Sequence, residues 1–216
     1  MNVFRSVVQS VYDNSIREYL PKSVVAVAGI PVPKARLLDV TYSQPDYKRG
    51  LIESIYDHVG SDHVDMVGLG WGVAAVHCVR AGAERVDAYE AAGEMVDGAQ
   101  ETFMACSHDD TDRIVTHHSV VGDSKDVYGQ NIGTVVPPAG LSGDVLVLDC
   151  EGAELSIFDG LETWPEKVIV ETHPGFDSPT GESMKRLQKH YQKVEKYEYE
   201  PDHQGNKRVL VGHHED

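Results

Sequence analysis

Three cysteines, Cys78, Cys106 and Cys150, are too few and too widely spaced in 216 residues for a disulfide framework or a zinc site built on CxxC pairs. They read as buried thiols. Long apolar runs are also missing. No stretch approaches the ~18–20 residues that span a bilayer. Met1 to Tyr12 alternates apolar and polar side chains without the apolar block or small-residue cleavage site of a signal peptide. The expectation is a cytoplasmic protein with no membrane span. Positive charge is scarce: 19 Lys and Arg stand against 35 Asp and Glu, a formal net charge of −16. Such a surface repels phosphate backbones, so no nucleic-acid partner is expected. The acids are spread along the whole chain, as at Asp109, Asp110, Asp126, Glu162 and Glu166. That dispersion suits a salt-rich cytoplasm better than one acidic docking face. Internal repeats and low-complexity segments are absent too.

What is present suits one domain. A hydrophobic share of 41% is ordinary for a globular chain, and a chain of this size buries a substantial core. From His63 onward, apolar runs and helical patterns alternate. Val64–Leu69 reads as a strand ending in a glycine turn, with a helix over Gly72–Ala81. Glu84–Glu90 reads as a second strand and Ala92–Ala105 as a second helix. Arg113–Ser119 is a third strand, followed by a Gly- and Pro-rich loop over Gly122–Gly143. Val145–Asp149 is apolar almost throughout, as expected of a strand covered on both faces. A helix over Ala153–Leu161, a strand over Lys167–Thr172 and a helix over Ser178–Tyr191 follow it. The last runs, Lys193–Glu200 and Lys207–Gly212, are joined by a loop short enough to permit only an antiparallel pair. The pattern predicts an α/β sheet, parallel except for one strand of a C-terminal hairpin, with helices on both faces. Residues 1–60 read as a helical cap on a main domain over 61–216: a helix over Phe4–Leu20, a short extended piece over Val24–Val32, and a helix over Tyr47–Val59.

The glycine turn, Gly68-Leu69-Gly70-Trp71-Gly72, has a plain physical use. Missing side chains let the backbone bend tightly and approach a ligand, and the helix that follows offers unpaired N–H groups. Glu90 ends the next strand about 20 residues on, where a carboxylate accepts hydrogen bonds from the ribose hydroxyls of an adenosine. Together they indicate an adenosine cofactor without choosing between S-adenosylmethionine and a nicotinamide dinucleotide, since Gly70, Gly72 and Ala75 also satisfy a loose dinucleotide pattern.

At the end of the fourth strand of that alternation, Asp149-Cys150-Glu151-Gly152-Ala153-Glu154 resembles the D-x-E-G-x-E segment of the FkbM family of class I methyltransferases. Val170-Glu171-Thr172-His173-Pro174 is similar to that family's next strand end, and the order of elements agrees over about three quarters of the chain, residues 60–214. The resemblance implies a Rossmann-like methyltransferase fold, S-adenosylmethionine as cofactor and a hydroxyl oxygen as methyl acceptor, on a small molecule, a glycan or a lipid. It places Gly68, Gly70 and Gly72 at the methionine end, Glu90 at the ribose, and Val120, Val121, Gly122 and Asp123 beside the adenine; Trp71, large for its place in the turn, is expected either to wall the cofactor pocket or to pack on the helix. Asp149 then faces the reactive end. Apart from the resemblance, a hydroxyl acceptor benefits from alignment and a base, so either Asp149 or Glu151 is expected to orient the acceptor, with His173 as candidate base. No metal is expected, although Asp149, Glu171 and His173 form an acceptable ligand set. One residue departs from the family pattern: the acid usual two positions before the first glycine is Met66 here. Neighbouring Asp65 points to the opposite face unless the strand is bulged. A nicotinamide-dependent oxidoreductase and a non-catalytic binding protein are the alternatives.

Overall fold

The computed structural model describes residues 11–122, 133–176, 179–197 and 208–215. The expected adenine neighbour Asp123, the start of the helix from Phe4 and the hairpin loop 201–206 lie outside them. The described chain opens with a short π-turn over Tyr12–Ile16 and a 3-10 turn over Arg17–Tyr19. The piece expected to be merely extended is a two-stranded hairpin, β1 (Lys22–Val27) and β2 (Ile30–Arg36). Its turn has positive φ at both Ala28 (46°) and Gly29 (78°), the twist that lets two strands reverse in two residues. Alanine replaces the usual Asn or Asp there, and Pro31 and Pro33 argue against a strand; both disguise the hairpin in the sequence.

The remaining elements follow the expected alternation closely. They are α1 (Arg49–His58), β3 (His63–Val67), α2 (Val73–Arg80), β4 (Arg85–Glu90), α3 (Gly93–Ala105) and β5 (Ile114–Val121). After them come β6 (Thr134–Val136), β7 (Val145–Leu148), α4 (Glu154–Gly160), β8 (Lys167–Thr172), α5 (Thr180–His190), β9 (Lys193–Tyr197) and β10 (Arg208–His213). Strand β6, inside the Gly- and Pro-rich segment read as loop, adds a short parallel edge to β5. The main sheet has the order β6-β5-β4-β3-β7-β8-β10-β9. Only β10 runs against the rest, antiparallel to both β8 and β9.

Strand β7 explains why the sheet holds together. Its residues alternate faces, and both faces are covered. Val145 and Val147 join Val64, Met66, Val86 and Ile169 beneath Leu51 and Ile55 of α1 and Ala75 and Cys78 of α2. Leu146 and Leu148 join Val168, Val170 and Leu210 beneath Ile157 of α4 and Leu187 of α5. A fully buried Leu or Ile contributes roughly 1.5–3 kcal/mol, so the two-sided core is the main source of stability. The hairpin packs separately, with Val25, Val27, Ile30 and Val32 against Val73 and Val76 of α2.

One charge cluster, buried at Asp87 and open to solvent at Arg85, braces the sheet away from the ligand edge. Asp87 on β4 accepts from Arg85 (2.5 and 2.8 Å) and pairs with His63 and His117 at 2.7 Å each. Burial works to raise its pKa, but the hydrogen bonds from Arg85, His117 and His63 outweigh burial and hold it below the ordinary aspartate value. A depressed carboxyl stabilises the fold fully above its unfolded value and loses that contribution as pH falls through the folded one. Asp87→Ala is expected to cost about 2 kcal/mol at pH 7, and the gap to wild type should begin to close as pH drops below about 4. Urea unfolding across that range is the check; a gap that does not change with pH contradicts the assignment.

Candidate active site

The carboxyl ends of β3, β4, β5 and β7 open into one cavity of about 470 Å³. Its floor is the glycine turn, and each glycine there has a separate reason. A Cβ on Gly68 (φ 92°) would lie 2.0 Å from the backbone oxygen of Asp149, because β3 and β7 pair side by side up to this point. A Cβ on Gly72 (φ 80°) would strike the Phe103 ring at 2.6 Å. Gly70 (φ 52°) faces open space within 4 Å. Its missing side chain leaves room for a ligand against the backbone. Trp71 lies against Gly98 of α3, where a Cβ would stand 2.8 Å from its ring, and lines the cavity as well.

Glu90 is clamped to this turn. Its Oε2 accepts from the Gly70 N–H at 2.9 Å and its Oε1 from the Ala92 N–H at 3.0 Å. Each carboxylate oxygen keeps a second lone pair, so the group can still accept from a ligand hydroxyl while it fixes the turn. Strand β3 pairs with β4 and β7 without a register break, so it is not bulged and Asp65 does not reach the turn. Asp65 instead accepts from the N–H groups of Ser142 and Gly143, both at 2.6 Å, and pins the approach to β7. Met66 is packed in the core. Val120 and Val121 line the cavity at the end of β5, next to Ser119, and Gly122 follows them with φ 92°.

Beyond the turn stands a buried polar cluster. Asp149 and Glu151 line the cavity. Glu151 has a left-handed backbone (φ 50°) ahead of Gly152 (φ 112°), an arrangement that turns the chain sharply from β7 into α4. His173 is fully buried and does not line the cavity. A hydrogen bond of 2.5 Å joins its Nδ1 to Oε1 of Glu154, and its Nε2 lies 3.7 Å from both Asp149 Oδ1 and Glu171 Oε2. The expectation of His173 as a base in contact with the acceptor therefore needs correction: it can act on the cavity only through Asp149. Glu154, the last acid of the segment that resembles the FkbM family's, is fully buried and also accepts from the Gly152 N–H at 2.9 Å.

The residue that sequence reasoning missed is Lys48. It precedes α1 with a left-handed backbone, φ 46° and ψ 42°, a conformation that costs a non-glycine residue of order 1 kcal/mol or more. Its ammonium donates to Asp149 Oδ2 and, at 2.8 Å, to Glu171 Oε2. Burial opposes the charge on Lys48, yet Asp149 and Glu171 outweigh it and hold its pKa well above the usual lysine value. The two acids then differ. Burial, reinforced by the charge of Glu171, raises Asp149, whereas for Glu171 the attraction of Lys48 overcomes burial and the carboxyl is pushed down to about 2. Ligand atoms of Asp149, Glu171 and His173 lie within 4.8 Å of one another, the spacing of a cation site. The cation already bridging the two carboxylates is the Lys48 ammonium. Nothing in the sequence around Ser43-Gln44-Pro45-Asp46-Tyr47-Lys48 marks this lysine; only the fold brings it across to β7 and β8.

No family model matches the chain, and no curated protein matches it. Solved structures do. The chain is similar to an S-adenosylmethionine-dependent O-methyltransferase from Thermotoga maritima, at 16% identity and a TM-score of 0.50, over 79% of this chain and 66% of the other. It is similar to an O-methyltransferase family protein from Burkholderia thailandensis, at 12% identity and a TM-score of 0.51, over 77% and 55%. It is also similar to a Streptococcus pneumoniae protein provisionally assigned as a tRNA (m1A22) methyltransferase, at 15% identity and 0.52, over 78% and 71%. The chain thus spans 66% and 55% of the first two structures. At these identities the likeness defines the fold: a Rossmann-like methyltransferase sheet with its antiparallel strand next to the edge. The expectation of no nucleic-acid partner gains no support from this likeness. No helix among the described residues is long and apolar enough to cross a membrane.

Proposed function

We propose that the protein binds S-adenosylmethionine in this cavity and transfers its methyl group to a hydroxyl oxygen on a small molecule, a glycan or a lipid. The observation that carries the reading is the charge around the glycine turn. The charged residues lining the cavity are Glu90, Asp149 and Glu151 with Lys48, and Lys48 is held by two acids. Such a lining attracts a sulfonium and repels the pyrophosphate of a dinucleotide. The solved structures support the same choice through their fold, and the resemblance of Asp149–Glu154 to the FkbM segment supports oxygen as acceptor.

The cofactor supplies a methyl group already activated on sulfur. The residues of the chain bind, align and take the proton. Gly70 leaves the backbone open to the methionine part, Glu90 accepts from the ribose, and Val120 and Val121 flank the adenine. The Asp149 carboxyl, which lines the cavity, is the group in this reading that accepts from the acceptor hydroxyl. With the cofactor bound, Asp149 would take the proton that the acceptor hydroxyl gives up on receiving the methyl group. Lys48, which donates to Asp149 Oδ2, fixes the orientation of Asp149, and Glu151 borders the acceptor. Alignment is the larger part of the rate, and a general base adds typically 10²–10⁴-fold.

Calorimetric titration with S-adenosylmethionine, S-adenosylhomocysteine and NAD tests the cofactor. Saturable binding of the first two is expected, weakened roughly tenfold or more by Glu90→Ala. Binding of NAD alone would overturn the reading. Asp149→Asn is expected to leave cofactor affinity within about twofold and to lower turnover about a hundredfold; an unchanged rate would remove Asp149 from the chemistry.

A further inference from the structure

The face of the sheet that α4 and α5 cover over β7, β8 and β10 carries a different chemistry over β3, β4 and β5. Side chains two apart on a strand share a face. Asp65 stands beside Asp87 in the parallel register of β3 and β4, and His117 stands beside Tyr89 in that of β4 and β5. His63, Asp65, Asp87, Tyr89 and His117 therefore lie on one face. The two carboxylates, side by side and only 2% and 4% exposed, repel each other and favour a cation between them.

Both acids are anchored from one side. Asp65 Oδ2 accepts from the Ser142 and Gly143 N–H groups, and the Tyr89 hydroxyl bonds to the same carboxylate. Asp87 Oδ1 pairs with His117 Nε2, while its Oδ2 faces His63 Nε2, each at 2.7 Å. One ligand atom from each of His63, Asp65 and Asp87 lies within 4.8 Å of the other two. A carboxylate oxygen that accepts one hydrogen bond keeps a lone pair for a further partner, so the anchoring contacts do not exhaust the donors.

We propose that His63, Asp65 and Asp87 bind one divalent transition-metal ion, such as zinc, cobalt or nickel. An imidazole joined by two carboxylates suits these ions, whereas magnesium and calcium prefer oxygen ligands alone. Three protein ligands leave a fourth position for water. His117 behind Asp87 and the two amides behind Asp65 orient the carboxylates, the support that metal ligands draw from their neighbours. The ion enters past His63 and His117, both partly exposed. Binding requires a bare Nε2 on His63, with the ring proton on Nδ1. It also displaces a competitor, since Arg85 donates to both oxygens of Asp87. The Arg85 side chain is 54% exposed, so its guanidinium can swing into solvent. The bound ion ties β3 to β4 behind the glycine turn, and Tyr89, which also lines the cavity, connects the two places. The inference holds whatever ligand the cavity takes.

Calorimetric titration of the full chain with zinc chloride, after dialysis against a chelator, tests it. One saturable site per chain is expected, with a melting temperature that rises as zinc is added. His63→Ala should weaken binding about tenfold or more and remove that thermal shift, and His117→Gln, which leaves all three ligands in place, should weaken it about tenfold. Arg85→Gln should tighten binding severalfold by removing the competing cation, a gain that misfolding cannot imitate. Three results would overturn the proposal: no saturable binding, an affinity that His63→Ala leaves unchanged because an adventitious ion sits elsewhere, or an affinity in Arg85→Gln no higher than in wild type.

Discussion

Lys48→Met is expected to destabilise the protein by about 3–5 kcal/mol at pH 7, with a deficit that narrows as the solution is acidified. The variant leaves Asp149 and Glu171 buried side by side without the ammonium that both contact. In wild type, the raised pKa of Lys48 means that its contribution is present throughout the range below the ordinary lysine value, and is lost only as pH rises through the raised one. Its removal therefore hurts equally at any neutral or mildly alkaline pH. The acids respond differently. Without Lys48, burial and mutual repulsion move both carboxyls upward, and a group with a raised folded pKa is stabilising when protonated. Lowering the pH from 7 toward 4 should then recover stability in the variant relative to wild type. Urea midpoints at several pH values measure this directly. A deficit that stays constant or grows in acid would mean that the lysine is not the partner of these two carboxylates in solution.

Gly68→Ala is the other large effect, at least about 4 kcal/mol together with loss of cofactor binding. The substitution meets two independent obstacles. The residue sits at φ 92°, where a side chain is strained, and its Cβ would overlap the backbone oxygen of Asp149 at 2.0 Å. Backbone cannot step aside as a flexible side chain can. Relief requires β3 and β7 to separate at their carboxyl ends, and the Asp149 N–H then loses its bond to Val67 O, now 2.9 Å. Gly70→Ala is the internal comparison, since its Cβ meets nothing within 4 Å. It should cost only the local strain of its positive φ while still obstructing a ligand. Thermal unfolding and cofactor titration of the two variants separate the roles; comparable melting temperatures would refute the distinction.

Much of this was legible in the sequence, for reasons that differ by region. The apolar run Val145–Leu148 reads correctly because a strand covered on both faces needs apolar residues at every position, and the structure distributes them as Val145 and Val147 to one side and Leu146 and Leu148 to the other. The glycine turn and Glu90 were legible because tight backbone geometry permits few alternatives. The hairpin β1–β2 was not, because its turn uses Ala28-Gly29 and its second strand holds two prolines. Lys48 was invisible for a deeper reason. Its role depends on two carboxylates 101 and 123 residues further along the chain, and no local pattern reports a contact of that span. His173 was legible as a chemical group but not as a buried one, since a residue before proline at a strand end looks exposed until Glu154 is seen to face it.

Those same spans govern when the site can exist. Closing a loop of a hundred residues has an entropic cost that only the completed sheet offsets. The chain must have ordered β3, β7 and β8 before the Lys48 ammonium meets either carboxylate. During synthesis from the N-terminus, Lys48 therefore waits in water while the whole of the sheet's centre is made. The pocket wall that it forms with Tyr47 is accordingly expected to complete after the centre of the sheet.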